Sequence, residues 1–344
     1  MRQVWITKTG GPEVLEIREA PDPTPGKGEV LIRVEAAGIN FADLMARQGL
    51  YPDAPKLPAV VGYEVGGTVE AVGEGVTKVK VGADVLALTR FGGYSSHVVA
   101  RDIQVFNRPE NMGAVTAAAL PVNYLTAFQA LVVMGGLRHA HDLGGRRMRV
   151  LVHGASGGVG TAAGDLCRIY GAEMFGTASS GKHDYVRGRG YSHAIDYRDN
   201  DWVSDVNDLT EGRGVDLVLD PIGGRHWSKS MDVLAPGGRL VIYGYSSILG
   251  SAKLGLPREL VRIPWRRFSP FALMNANRGV LGVNVGHLWH VADDVERWAE
   301  KLLEYYRRGD IRPHVDRTFA LEDAAEAHAY MEARQNVGKV VLVP

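Results

Sequence analysis

A strand that runs straight into a glycine-rich turn and then a helix constrains this chain more than any other feature. Residues 150–160 read VLVHGASGGVG, and the small-residue helix that follows is closed by Gly171. This order is the context in which the G-x-G-x-x-G fingerprint binds a dinucleotide. The N-terminus of the helix supplies N–H groups and partial positive charge for a pyrophosphate. We predict a dinucleotide-binding turn; the alternative is a tight strand–helix turn in another α/β fold.

The fingerprint has alanine in its first slot. Gly157 is predicted to let the backbone approach the pyrophosphate, and Gly160 to let the helix pack on the sheet. The predicted cofactor contacts in this turn are Ala155, Ser156, Gly157, Gly158, Val159 and Gly160.

The pattern of elements changes near residue 120. Before it, short alternating strands and Gly/Pro-rich turns predict an antiparallel, barrel-like domain. After it, apolar strands alternate with helices, which predicts a parallel sheet covered on both faces. The end of the chain reads as a helix, a linker, a second helix and a final strand. The fold class is therefore α/β with two domains, in keeping with a length of 344 residues.

Composition excludes several classes of protein. Hydrophobic residues make up 45% of the chain, and 39 basic residues balance 39 acidic ones, so no global attraction to nucleic acid is expected. A single cysteine, Cys167, forms no internal disulfide. The N-terminus has no secretory pattern, which predicts a cytoplasmic protein. Residues 114–137 carry no charge, but Pro121 and the Gly135–Gly136 pair interrupt them, so we interpret them as two buried helical pieces.

The residues after the second strand of the parallel sheet favour NADPH over NADH. An NAD site usually has a carboxylate there for the ribose 2′-hydroxyl, whereas this stretch reads AEMFGTASSGK. Hydroxyls and an ammonium suit a 2′-phosphate, and the predicted contacts are Ser179, Ser180, Lys182 and, after the third strand, Tyr197. The alternative for Lys182 is a solvated surface lysine.

Together, several stretches resemble the medium-chain dehydrogenase/reductase superfamily over essentially the whole length. They are AAGINFADLMARQGLYP, PAVVGYEVGGTVEAVGEGV, HGASGGVGTAA, FGTASSGKH, DPIGG and NVGKVVLVP. Within that superfamily the chain resembles the zinc-free quinone oxidoreductase group and its vesicle amine transport protein-like branch. The resemblance implies a GroES-like barrel (residues 1–122 and 285–344), a Rossmann domain (residues 123–284), and a homodimer formed near GVLGVNV. It also implies hydride transfer from NADPH to quinones or to the C=C bond of enones.

The metal ligands of zinc-dependent relatives are missing from this sequence. Those relatives place a cysteine where this chain reads INFADLM, and a His–Glu pair where it reads Tyr63–Glu64. Here Asn40 lies in the first stretch, and no cysteine precedes Cys167. Catalytic zinc needs three protein ligands, so we predict no metal. Tyr63 is then structural or supports the site from behind, and Glu64 is most simply a structural carboxylate on a barrel strand.

The resemblance also implies site residues. Asn40 is expected beside the nicotinamide ribose or the substrate carbonyl. Tyr51 either forms an aromatic wall for flat substrates or donates a hydrogen bond to the developing oxyanion. The other residues expected to contact the cofactor are Thr126, Gly244, Tyr245, Ser246, Asn284, Asn336 and Lys339.

Residues 256–278, LPRELVRIPWRRFSPFALMNANR, form the single local basic and aromatic segment. We weigh a lid or cap over the substrate site, a dimer contact, and docking on anionic lipid. Docking on lipid leads to an alternative to the reductase function. In this alternative the chain is a non-enzymatic, cofactor-holding protein that binds lipid or associates with membranes.

Overall fold

The computed structural model describes residues 1–198, 201–248 and 268–344, and in it the chain divides into two units. The first unit comprises Met1–Leu125, Gly286–Gly309 and Pro313–Pro344, and the second comprises Thr126–Val285 and Asp310–Arg312. The domain boundaries expected at 122/123 and 284/285 stay predictions. Residues Asp310–Arg312, which join the second unit, were not anticipated.

The first unit is mainly β structure. Its strands are β1 (Arg2–Ile6), β2 (Leu15–Glu19), β3 (Glu29–Ile39), β4 (Glu64–Val72), β5 (Asp84–Leu88), β6 (His97–Arg101), β7 (Val105–Asn107), β14 (Val315–Ala320) and β15 (Lys339–Val343). Its helices are α1 (Phe41–Arg47), α2 (Ala114–Ala117), α9 (Ala292–Arg307) and α10 (Ala324–Glu332). The larger sheet has the order β14-β15-β3-β4-β5-β7, with β6 also paired to β3, and β1 and β2 form a separate hairpin.

Close backbone packing explains the glycines of β4. A Cβ added to Gly66 would lie 2.4 Å from the carbonyl oxygen of Ala114, and one added to Gly67 would lie 2.2 Å from that of Arg33. Any side chain at these two positions would collide with backbone, which cannot move aside as a flexible side chain can. Gly66 and Gly67 therefore allow β4 to pack closely against neighbouring backbone.

The second unit is a parallel sheet with helices between its strands. The strands are β8 (Arg149–His153), β9 (Glu173–Ala178), β10 (His193–Asp196), β11 (Val215–Asp220), β12 (Leu234–Ile242) and β13 (Gly279–Gly282), in the order β10-β9-β8-β11-β12-β13. The helices are α4 (Gly158–Tyr170), α5 (His183–Gly188), α6 (Trp202–Leu209), α7 (His226–Asp232) and α8 (Pro270–Ala276). Strand order reverses between β8 and β11, which is the Rossmann arrangement and places a ligand crevice at the carboxyl ends of these strands.

The core of the second unit is built from the apolar runs that predicted its strands. Leu151 of β8, Phe175 of β9, Val218 of β11 and Leu240 of β12 are fully buried, and Trp202 of α6 packs with them. Burial on both faces explains why these strands read as continuous apolar segments and do not alternate.

The uncharged stretch after residue 113 forms short helical pieces. They are α2, α3 (Pro121–Phe128) and a π-helical turn (Gln129–Met134). Taken together, Ala114–Met134 is long and apolar enough to cross a membrane, yet 72% of its most apolar window is buried inside the protein. Core helices pass the same test of length and composition, so this stretch is weak evidence for a membrane span.

The prediction of an unstructured linker between the last two helices is wrong, because this part of the chain contains β14. This strand pairs in parallel with β15, and Phe319 is its one buried side chain. Its other side chains are exposed or partly exposed, as on the edge strand of a sheet. The sequence therefore carried no apolar run or clear alternation that would have marked it.

Candidate functional site

The turn from β8 into α4 has room only for glycine at position 160. The N–H of Gly157 donates to the carbonyl oxygen of Gly154 (2.9 Å). A Cβ added to Gly160 would lie 2.5 Å from the carbonyl oxygens of both Gly154 and Ala155. The geometry therefore agrees with the packing role predicted for Gly160.

The residues at which α4 begins are partly exposed. Ala155 and Ser156 are buried, whereas Gly157, Gly158 and Val159 are partly exposed where α4 begins. The first N–H groups of a helix have no intrahelical partner, and they suit an anion such as a pyrophosphate.

A second turn follows β9. Ser179 precedes a single 3₁₀ turn, Ser180–Lys182, which leads directly into α5. Strands β9 and β10 are parallel neighbours, and Ala178 is paired with Asp196. Tyr197, the next residue along the chain, therefore lies at the same edge of the sheet as the serines, as the 2′-phosphate prediction requires.

Sequence reasoning missed Asp196 and Arg198 at this turn. Asp196 Oδ2 accepts the backbone N–H of Ser180 (2.7 Å), and Oδ1 accepts that of Arg198 (2.9 Å). Hydrogen bonds from Arg198, first from its backbone, and from Ser180 lower the pKa of Asp196 to about 2. Tyr197 lies between Asp196 and Arg198 in the sequence, so the prediction made for Tyr197 could have drawn attention to its two neighbours.

The loops after β11 and β12 are joined backbone to backbone. The N–H of Ser246 donates to Pro221 O (2.8 Å), and that of Ser247 to Ile222 O (3.0 Å). The predicted cofactor residues Gly244, Tyr245 and Ser246 thus lie beside the DPIGG loop, at the carboxyl ends of two neighbouring strands.

A buried polar network lies beneath these loops. Asp220 Oδ2 accepts hydrogen bonds from Ser230 Oγ (2.8 Å) and His226 Nδ1 (2.9 Å), while His153 contacts Ser230 (3.3 Å) and Thr177 Oγ1 (3.0 Å). Burial lowers the pKa of His153 to about 3, so this ring is neutral. Burial alone would raise the pKa of Asp220, but hydrogen bonds from His226 and Ser230 hold it below its usual range.

Within this network, His153, Asp220 and His226 are spaced as metal ligands can be, with ligand atoms within 4.8 Å of one another. The carboxylate also accepts the N–H groups of Ile222 (2.7 Å) and Gly223 (3.2 Å). Since its oxygens are already used by hydrogen bonds, the cluster is most simply a buried network that holds the DPIGG loop.

In the first unit, Asn40, Glu64 and Lys339 form a buried triad. Asn40 Nδ2 donates to Glu64 Oε1 (3.0 Å), and Lys339 Nζ donates to Asn40 Oδ1 (2.6 Å) and forms an ion pair with Glu64. The other oxygen of Glu64 accepts the N–H of Val122 (2.8 Å). Glu64 is fully buried and Lys339 is 2% exposed.

Strand pairing explains this meeting of distant residues. Asn40 follows β3, Glu64 begins β4 and Lys339 begins β15. The last part of β3 pairs with both β4 and β15, so the three side chains are delivered to one place. The structural carboxylate expected at Glu64 is thus an anchor for two residues that were predicted to contact the cofactor.

A second buried carboxyl lies behind Asn40. Asp43 Oδ2 accepts the backbone N–H of Asn40 (2.7 Å), and Oδ1 accepts that of Gly62 (3.0 Å). Burial raises the pKa of Asp43 to about 7, although these hydrogen bonds and the charge of Lys339 act in the opposite direction.

Tyr51 belongs to an aromatic group in the first unit. Its ring stands edge-on to that of Tyr63, with centroids 6.1 Å apart, and the Tyr63 ring packs on Phe91 at 5.3 Å. Burial raises the pKa of Tyr63 far above its ordinary value, with smaller contributions from Asp43 and Tyr51, so its phenol stays protonated. This packing agrees with an aromatic wall at Tyr51 and does not test a role as donor.

The remaining predicted contacts are distributed over both units. Thr126 lies in α3 and Asn284 is exposed after β13, both in the second unit. Asn336 lies in the first unit, and its amide donates to Gly338 O (3.0 Å). Their contacts with a cofactor stay predictions.

Only the end of the basic aromatic segment is described. Residues 256–267, including Trp265 and four of its arginines, lie outside the described residues. Phe268 packs on the core of the second unit, while Phe271 and Met274 of α8 are 72% and 66% exposed.

Two family models match this chain. Residues 26–122 match the alcohol dehydrogenase GroES-like domain, and residues 189–342 match a family described as zinc-binding dehydrogenase.

Individual relatives extend the similarity to the full length. The chain is 41% identical to the human synaptic vesicle membrane protein VAT-1 homolog, over 100% of this chain and 86% of that protein. It is 36% identical to a quinone oxidoreductase of Pseudomonas aeruginosa, over 100% of this chain and 99% of the relative. Among solved structures, Escherichia coli quinone oxidoreductase complexed with NADPH superposes with a TM-score of 0.88 at 28% identity, with 100% of both chains covered.

Proposed function

Because the chain belongs to the medium-chain dehydrogenase/reductase superfamily and its quinone oxidoreductase group, we propose that it is a zinc-independent, NADPH-dependent reductase. Its substrates are quinones or the C=C bond of α,β-unsaturated ketones. The observation that carries the proposal is the turn from β8 into α4, at the point where strand order reverses in a Rossmann sheet. There Gly160 packs on backbone and the first residues of the helix are partly exposed.

The donor set of the first unit supports a mechanism without zinc. Tyr63 packs between aromatic rings, and its buried phenol stays protonated. Asn40 Oδ1 accepts from Lys339, and Glu64 is committed to Lys339, Asn40 and a backbone N–H. Zinc requires deprotonated or neutral ligands with free lone pairs, and a buried ammonium in their midst repels a cation. These residues do not fit a zinc ion.

The NADPH site divides into parts with separate tasks. The turn at 155–160 holds the pyrophosphate, and Ser179, Ser180, Lys182 and Tyr197 hold the 2′-phosphate. Residues 244–246, Thr126 and Asn284 complete the contacts made by the second unit, and the contacts implied for Asn336 and Lys339 of the first unit stay predictions. When bound, NADPH supplies the hydride.

The first unit contributes the groups that act on the substrate. Reduction of an enone develops negative charge on the carbonyl oxygen, and a fixed donor lowers the barrier. Asn40 suits this task because Lys339 and Glu64 hold its amide in one orientation. Tyr51 supplies a flat aromatic wall or, in the alternative, a second donor to the oxyanion.

The proposal is tested by NADPH oxidation with a panel of quinones and α,β-unsaturated ketones. We expect turnover with NADPH on members of this panel, unchanged by exhaustive chelation of metals. Cofactor binding without turnover on any member would contradict a reductase, and loss of turnover on chelation would contradict zinc independence.

A second candidate is a lipid-binding protein that holds a cofactor without turning it over. The exposed Phe271 and Met274 of α8 favour it, since apolar side chains at a surface suit a membrane interface. Sedimentation with phosphatidylserine vesicles is the discriminating experiment: binding to vesicles, with no turnover on the panel, would favour this candidate over the reductase.

We also propose a homodimer that forms along β13. This strand is the end of its sheet among the described residues, and an unpaired strand edge can accept a strand from a second copy. Light scattering would return twice the 37.3 kDa mass of one chain, whereas a monomer would contradict the dimer.

A further inference from the structure

A carboxylate and a guanidinium lie at the turn where the 2′-phosphate is expected, although neither follows the second strand. Because β9 and β10 run in parallel, the end of β10 lies beside the end of β9. Asp196 is thereby brought against Ser180, and Arg198 follows two residues later.

The carboxylate of Asp196 is committed to backbone and to Arg198. Its Oδ2 accepts the N–H of Ser180 (2.7 Å), and its Oδ1 accepts the N–H of Arg198 (2.9 Å). The guanidinium contacts both oxygens side-on, with Nε 3.4 Å from Oδ1 and Nη2 3.5 Å from Oδ2. The carboxylate thus acts as a clamp between two turns, and not as an acceptor for a ribose hydroxyl.

The clamp directs Arg198 toward the serine of the predicted phosphate site. Arg198 Nη2 lies 3.2 Å from Ser180 Oγ, and 54% of the side chain remains exposed. A guanidinium beside a hydroxyl, at the end of the second strand of a Rossmann sheet, is placed where an arginine accommodates a 2′-phosphate. Guanidinium–phosphate hydrogen bonds are charge-assisted and stronger than neutral ones.

We propose that Arg198 binds the 2′-phosphate of NADPH and that Asp196 is the positioning residue that directs it. This inference rests on the proposed NADPH-dependent function, and it adds a specificity-determining pair to the lysine and serines of that site.

The binding experiment uses the full chain, with NADPH and NADH titrated separately against Arg198→Gln. We expect the Kd for NADPH to rise about tenfold or more, as for loss of a charge-assisted hydrogen bond, and the Kd for NADH to stay within about twofold. Arg187→Gln is the matched control, since Arg187 has 55% of its side chain exposed and forms an ion pair with Asp184 in α5. It should change neither Kd by more than about twofold.

Two failures are distinguishable in this experiment. If the unaltered chain binds neither cofactor, the proposed function fails. If it binds NADPH and Arg198→Gln leaves the ratio of the two Kd values unchanged, the inference alone is overturned. An equal effect of Arg187→Gln would also overturn it, because net charge would then explain the result.

Asp196→Asn separates positioning from simple charge. If Asp196 acted only by its charge, its neutralisation would tighten NADPH, since a carboxylate repels phosphate. As a positioning residue, its loss should weaken NADPH about threefold to tenfold and have no further effect when combined with Arg198→Gln. Tighter or unchanged NADPH binding, or a full additional loss in the double variant, would overturn the positioning role. Thermal unfolding of each variant checks that the second unit is intact.

Discussion

The ammonium nitrogen of Lys339 lies 2.6 Å from the amide oxygen of Asn40, and the two residues are 299 positions apart in the chain. The same ammonium forms an ion pair with the fully buried Glu64. One cation therefore holds both the amide proposed to face the substrate and the buried carboxylate of Glu64.

Replacing Lys339 by Met should destabilise the first unit strongly. It would leave the Glu64 carboxylate buried without a cation, which costs about 3–5 kcal/mol. The double variant Glu64→Gln/Lys339→Met should recover part of that loss, because no charge then remains unpaired. Denaturant unfolding measures both. A loss below about 1 kcal/mol for Lys339→Met would mean that the pair behaves as a solvated surface ion pair.

Tyr51→Phe should separate the two roles proposed for Tyr51. If its hydroxyl donates to the oxyanion, kcat on enones and quinones falls on the order of tenfold to a hundredfold, with a smaller change in NADPH dissociation. Tyr306→Phe is the control and should leave kcat unchanged, since that hydroxyl donates to the carbonyl oxygen of Asn111 (3.3 Å) and not to this aromatic group. Unchanged turnover in Tyr51→Phe would leave only the aromatic wall.

Asp43 should make stability depend on pH between about 4 and 7. Burial raises its pKa from 3.8 to about 7 in the folded chain, so the folded state binds more protons than the unfolded state in this window. Its contribution is fully present below pH 3.8 and is lost as pH rises through 7, at up to about 1.4 kcal/mol per pH unit.

The difference between the unaltered chain and Asp43→Asn isolates this contribution. The buried His153 and His328, whose pKa values are lowered to about 3 by burial, oppose it, since they destabilise the fold as pH falls below 6.5. Those terms are shared by both proteins and cancel in the difference. Unfolding midpoints at several pH values measure it, and parallel curves would show that Asp43 does not titrate in this range.

Lys182→Ala tests the 2′-phosphate site independently of Arg198. The loss of an ammonium from the turn before α5 should weaken NADPH binding about tenfold while sparing NADH, because only the phosphorylated cofactor carries the additional charge. Fluorescence titration with each cofactor measures the ratio. Equal losses for both would mean that Lys182 contributes to the turn and not to the phosphate.

Features formed by residues that are contiguous in the chain could be predicted from the sequence, whereas features formed by distant residues could not. The turn into α4 could be predicted because an apolar run, glycines and a small-residue helix are contiguous from Val150 to Gly171. The triad of Asn40, Glu64 and Lys339 could not, because it arises from the pairing of β3 with two strands that are far away in the chain. The sequence singled out each of the three residues but did not predict the ion pair between Lys339 and Glu64.

Asp196 and Arg198 were missed for a related reason. The search for a carboxylate followed the second strand, where sequence spacing usually places it. Here the carboxylate comes from the third strand, and its approach to Ser180 depends on the register of β9 and β10. Neither spacing nor residue type reveals such a register, because many alignments of two short parallel strands are compatible with one sequence.

Gly160→Ala should damage the dinucleotide turn, even though alanine is the better helix former. The added Cβ would lie 2.5 Å from two carbonyl oxygens of the backbone, so the start of α4 must shift. We expect at least a tenfold weaker NADPH affinity and a lower unfolding midpoint. Gly188→Ala in α5 is the matched control, since nothing lies within 4 Å of its added Cβ, and there alanine should stabilise by about 0.5–1 kcal/mol. If both variants bind NADPH like the unaltered chain, the turn into α4 does not carry the pyrophosphate, and the observation on which the proposed function rests would fail.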